Sequence, residues 1–87
     1  MYRIDFYKDG TYIAYMENGS TDKGTYKLVD GVLVLTNDHQ EKFMFKLDKG
    51  VYILNYSGYL FEIGHHDYNK LKKAVKTSRQ APALLHS

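Results

Sequence analysis

The chain has 87 residues, 44% of them hydrophobic, and no cysteine. This is one domain near the lower limit for a self-sufficient core, and the composition excludes wholesale disorder, disulfide staples, thiolate zinc sites and a cysteine nucleophile. The net charge of +2 is unevenly spread: residues 1–64 hold seven Lys/Arg against nine Asp/Glu, and residues 65–87 hold five against one.

The first element is written YKDGTYIAY, with Asp9-Gly10 between two alternating runs. Asp tolerates turn backbone and Gly accepts positive φ, so this predicts a β-hairpin over about residues 2–17. Next comes DKGTYKL from Asp22, a predicted turn followed by a strand. Tyr26 and Leu28 share one face of that strand, and Thr25, Lys27 and Val29 share the other. VDGVLVLT continues it, and Asp30-Gly31 closes a second hairpin over 24–37. The run Val32-Leu33-Val34-Leu35 is apolar on both faces, which predicts a central strand covered on its outer side as well.

An additional strand over about 40–47 (QEKFMFKL) sets Phe43, Phe45 and Leu47 against Lys42, Met44 and Lys46. DKGVYIL from Asp48 then repeats five of the seven letters of DKGTYKL, 26 residues later. It predicts the same unit again: turn, strand, tight turn at Ser57-Gly58, strand, over 51–63. Tyr52 and Leu54 share one face there, opposite Val51, Ile53 and Asn55. The chain is thus read as mainly β, an antiparallel meander of about seven short strands over residues 1–64, curled into a small barrel or half-barrel. Ile4, Phe6, Ile13, Tyr26, Leu28, Phe43, Phe45, Ile53 and Phe61 are the expected interior. The first strand, YRIDFYK, and the last, YLFEI, are the expected edges, through which a homodimer would pair.

DYNKLKKAVKTSRQ closes the pattern as one amphipathic, basic C-terminal α-helix over 65–80, with Asp67 as candidate cap. Tyr68, Leu71, Ala74 and Val75 form its apolar stripe. It is expected to pack on the barrel and cover the outer side of Val32–Leu35. Pro82 ends regular structure, and 81–87 is expected to be a flexible tail.

The stretches Asp9-Gly10-Thr11-Tyr12, Gly24-Thr25-Tyr26 and Asp30-Gly31-Val32-Leu33-Val34-Leu35-Thr36 together resemble the small lipocalin-like, or calycin-like, β-barrel domains of bacteria and their phages. The resemblance covers residues 1–63. It implies architecture and a binding role, and no catalytic residues. A Gly-x-Trp near the start, typical of true lipocalins, is missing.

Site chemistry is sparse. His65-His66-Asp67 lacks a third convergent metal ligand, since His39 and His86 sit in a turn and a tail. Ser20, Ser57 and Ser78 stand in no nucleophile signature, and no glycine-rich phosphate loop is present. The expectation is therefore no enzyme, no metal and no cofactor. MYRIDFYKDG shows neither a signal peptide nor a membrane span, so the expected setting is cytoplasmic with no membrane contact.

The leading expectation is a protein-interaction module that binds a larger protein, as a phage-type inhibitor or anti-defence protein would. Its candidate contacts are Tyr7, Tyr15, Tyr56 and Tyr59. One alternative is single-stranded nucleic-acid binding through Lys70, Lys72, Lys73, Lys76 and Arg79 with exposed tyrosines. Another is a lipocalin-like barrel holding a small ligand.

Overall fold

The computed structural model describes residues 3–80, with side chains from Arg3 to Val75. Seven strands follow in chain order: β1 (Arg3–Phe6), β2 (Thr11–Tyr15), β3 (Thr21–Val29), β4 (Val32–Asn37), β5 (Lys42–Asp48), β6 (Val51–Tyr56) and β7 (Tyr59–Ile63). A single helix, α1 (His65–Gln80), ends the described chain. Each strand pairs antiparallel with the next, in the order β1-β2-β3-β4-β5-β6-β7, and the sheet curls into a nearly closed barrel. The expected fold class is therefore the observed one. The expected tail, residues 81–87, lies outside the described residues, as do the side chains of Lys76 and Arg79.

Two loop designs drive the meander. Asp30-Gly31, Lys49-Gly50 and Ser57-Gly58 each place both turn residues at positive φ. That is the twist a two-residue hairpin requires, and it explains the Gly in the second position. The other design is a loop of three residues whose last is left-handed: Gly10, Gly19 and Gln40. In all three an acidic or amide side chain ties the exit, Asn37 Oδ1 accepting from the Glu41 N–H at 2.9 Å in the last. Asp9 Oδ1 accepts from the Thr11 N–H at 3.0 Å, and Asn18 Oδ1 accepts from the Ser20 N–H at 2.9 Å.

The first DKG is not a turn. β3 runs unbroken through Asp22-Lys23-Gly24, and Gly24 pairs with Asn37 of β4. A Cβ on Gly24 would stand 1.9 Å from the Thr36 carbonyl oxygen, so the close approach of two backbones demands glycine here.

Inward positions follow the pairing. Ile4, Tyr12, Ala14, Tyr26, Leu33, Leu35, Phe45, Leu54 and Tyr56 are buried, with Phe6, Leu28, Phe43, Tyr52, Phe61 and Ile63 half-buried around them. Each large side chain fully removed from water contributes about 1.5–3 kcal/mol. Two expected core residues face outward. Ile13 pairs between Asp5 and Lys23, and Ile53 pairs between Lys46 and Glu62. Their places inside go to Tyr12 and Leu54. Tyrosine wins the interior because its hydroxyl finds partners there: Tyr12 with Tyr56, and Tyr26 with the Tyr7 carbonyl.

The helix also sits elsewhere than expected. It closes the interior rather than covering the outer side of β4. Tyr68 stacks on Tyr52 with ring centres 3.6 Å apart, meets Phe45 edge-on, and its hydroxyl accepts the buried Leu33 N–H at 2.9 Å. Val75 is buried behind it, with Leu71 and Ala74 half-buried. The helix begins at His65, and the Gly64 carbonyl accepts the Tyr68 N–H. Asp67 therefore lies within the first turn, where its charge meets the positive end of the helix dipole, rather than before it as a cap.

Candidate functional site

With α1 inside, the outer face of β3–β7 stays bare. The register builds it in rows. Lys27, Val34 and Met44 form a row across β3–β5, Met44 lines one shallow pocket with Asn55 and Leu60 of β6 and β7, and Lys46, Ile53 and Glu62 form a row across β5–β7. Leu60 is 73% exposed and Met44 is 53% exposed. Val34 is buried on this side, between Lys27 and Met44. Lysines border the apolar strip: Lys27, Lys42 and Lys46 are all exposed, and Lys42 Nζ donates to Thr36 Oγ1 at 3.2 Å. No aromatic ring belongs to these rows, because alternation turns the rings of β3 and β5–β7 inward.

Of the four candidate tyrosines only Tyr7 and Tyr15 are brought together, their side chains within hydrogen-bond reach on β1–β2. Tyr56 is only 1% exposed and belongs to the core. Tyr59 stands opposite it at the rim, 42% exposed. Tyr7 and Tyr15 are half-buried at the β1–β2 hairpin, where the Arg3 guanidinium lies 4.2 Å from the Tyr15 ring centre. Tyr56 shares the face of Tyr52 and Leu54 in its strand. The pairing Tyr56–Tyr59 and Leu54–Phe61 puts that face inward.

Tyr56 instead anchors a buried polar chain at one end of the barrel. Its hydroxyl donates to Asp22 Oδ2, so the Tyr12 hydroxyl, 2.7 Å away, donates to Tyr56. Asn37 Nδ2 donates to Asp22 Oδ2 at 3.0 Å and to Glu41 Oε1 at 2.8 Å, and its Oδ1 accepts the N–H groups of His39 and Glu41. Every bonding capacity of the buried Asn37 side chain is used. Burial pushes the Tyr12 hydroxyl up to about 12. Burial, then the bond to Asp22, pushes Tyr56 higher still. Both phenols keep their protons near neutral pH, and the chain locks the end of the barrel. Sequence reasoning missed this cluster. The signal was parity: Asp22, Gly24, Tyr26 and Leu28 alternate onto one face once the first DKG is read as strand.

On the basic helix, Lys72 Nζ lies 5.9 Å from the Tyr68 ring centre, and Lys70 lines a groove rather than standing clear of the barrel. That groove, about 540 Å³, opens where β1 and β7 fail to pair. Ile4, Phe6, Phe61, Ile63, Leu71 and Ala74 supply its apolar walls, with Asp5, Lys8, Asp67 and Lys70 at its margins. His65 meets Tyr52 edge-on, and no group of three or more His, Cys, Asp or Glu able to hold a metal occurs among the described residues. No helix among the described residues is long and apolar enough to cross a membrane.

Compared with known proteins, the chain matches no family model, no curated protein and no solved structure.

Proposed function

We propose that the chain is a non-enzymatic protein-interaction module that docks a larger protein on the outer face of β3–β7. The observation that carries this reading is the exposed apolar strip through Met44 and Leu60, bordered by Lys27, Lys42 and Lys46. Apolar patches rimmed by polar groups mark interaction sites. Its charge fits a partner whose apolar patch is rimmed by carboxylates. Inhibition by occlusion, of the kind a phage anti-defence protein exerts, is the form of this function we favour. A lipocalin-like relationship accords with it, because those barrels are mostly binders.

Single-stranded nucleic acid fits this face less well. Its rows lack the rings on which bases stack, and Tyr7 and Tyr15 come together on β1–β2, away from this face. The test is affinity capture with the wild-type chain beside Met44→Asp and Lys46→Glu. One stoichiometric partner, bound by the wild type and lost by both variants while their melting stays unchanged, is the expected result. No such partner, together with salt-sensitive binding of single-stranded DNA or RNA that needs Lys72 and Lys73, would replace this reading with the nucleic-acid one.

A further inference from the structure

The seam between β1 and β7 has a defined chemistry. Tyr7 N–H donates to the Thr11 carbonyl, which makes Tyr7–Thr11 a hydrogen-bonded pair. Alternation along an antiparallel ladder then turns the N–H and C=O of Ile4 and Phe6 away from β2 and into the seam. On the other side, the two-residue turn at Ser57-Gly58 makes Tyr56–Tyr59 a hydrogen-bonded pair, so Leu60 and Glu62 turn their backbone groups away from β6 and into the same seam. Two unpaired edges thus face one apolar groove.

Parity explains why they do not pair with each other. In a meander of seven antiparallel strands, the first and seventh run in the same direction. Closing β1 on β7 would need a parallel ladder inside an otherwise antiparallel sheet. A strand entering from outside can run antiparallel to both edges and complete an even, wholly antiparallel barrel.

We infer that this seam is a second binding site, which takes one extended segment of a partner protein as an additional strand. Its inward side chains enter the 540 Å³ groove against Phe6, Phe61 and Leu71. Phe6 and Phe61 already face each other there, with ring centres 6.3 Å apart. Its outward side chains emerge between Asp5 of β1, whose Oδ1 lies 3.3 Å from Arg3 Nε, and Glu62 of β7. The fitting segment therefore alternates apolar and basic residues. Lys8, Asp67 and Lys70 also line the groove. Main-chain bonds supply affinity and the alternating side chains supply choice. The site adjoins the outer face of β3–β7 along β7, whose Leu60 and Glu62 belong to both, and neither reading rests on the other.

The test uses the full chain, isotope-labelled, and a short capped peptide alternating valine and lysine. Added peptide slows amide exchange at Ile4, Phe6, Leu60 and Glu62 by about tenfold or more. Leu60→Pro removes a seam donor and no bond to β6, and weakens the peptide about five- to tenfold, whereas Leu60→Ala binds as wild type. Should Leu60→Pro fail to fold, Glu62→Pro removes the other seam donor on that strand. A peptide alternating valine and glutamate binds more weakly than the lysine one. The proposal is overturned by unchanged exchange at the four amides, by equal binding to the proline variant, or by equal binding of the glutamate peptide. It is also overturned if the four amides are protected in the free chain, whether chain ending at Gln80 releases them, which would place residues 81–87 in the seam, or protection grows with protein concentration, which would place a second copy there. Met44→Asp leaves peptide binding intact, which separates this result from the outer-face one.

Discussion

DKGTYKL and DKGVYIL share five letters of seven and fold differently. In the second copy Lys49-Gly50 is a tight turn with both residues at positive φ, and Asp48 pairs with Val51 across it. In the first copy the same letters lie within β3, where Gly24 meets the backbone of β4 and Asp22 holds the hydroxyl of Tyr56. The halves after the glycine do agree. Tyr26 and Leu28, like Tyr52 and Leu54, point inward. The lesson is that alternation survives a change of context, because it is a property of one strand. Turn chemistry does not survive, because Asp, Lys and Gly are permissive of a turn without requiring one. Met16–Ser20 supplies its own loop one step earlier, and the strand then has no need to turn at Asp22.

The sharpest way to break the comparison is at the two glycines. Gly24→Ala drives a methyl group into the Thr36 carbonyl and is expected to destabilise by about 3 kcal/mol or more. Gly50→Ala meets nothing within 4 Å and suffers only from its left-handed backbone, φ 86°, about 1–2 kcal/mol. Urea unfolding of both variants checks the order. Equal losses would mean that the close backbone approach at Gly24 relaxes freely.

The aspartates come next. Asp22→Ala strands the Tyr56 hydroxyl and one Asn37 N–H at the barrel end and is expected to lose about 2–3 kcal/mol. Asp48→Ala, exposed at its turn, is expected to stay within about 0.5 kcal/mol. The buried phenols set an alkaline limit. Tyr12 and Tyr26 hold their protons up to about 12, pushed above the ordinary tyrosine value first by burial. A group raised in the folded state contributes its full stability below its unfolded value, near 10, and loses it as pH rises through about 12. Chemical-denaturation midpoints are therefore expected to be level between pH 7 and about 9.5 and to fall between about 10 and 12. A midpoint that stays flat across the upper window would show that the phenols titrate without constraint.

The smallest contrast is between the tyrosines of the two copies. Tyr26→Phe removes the bond to the Tyr7 carbonyl and is expected to cost about 1 kcal/mol. Tyr52→Phe keeps its stack on Tyr68 and is expected to change stability by less than about 0.5 kcal/mol. Thermal unfolding of the pair resolves the difference.

Sequence alone determined the number of strands, their antiparallel order, the turns at Asp30-Gly31 and Ser57-Gly58, and a helix over 65–80. These are local matters: positive φ selects glycine, and periods near two and near four residues select strand and helix. It also determined that Tyr68, Leu71, Ala74 and Val75 form one stripe. Tertiary structure alone decided what that stripe covers. The helix entered the barrel because Tyr52, Phe45 and the unpaired Leu33 N–H offered Tyr68 both a stack and a hydrogen bond. That choice left Met44 and Leu60 bare on the outside. Tertiary structure likewise decided that Tyr56 is core, since only the fold brings Asp22, 34 residues away, to its hydroxyl. It also left β1 and β7 apart, because seven antiparallel strands end in the direction in which they began.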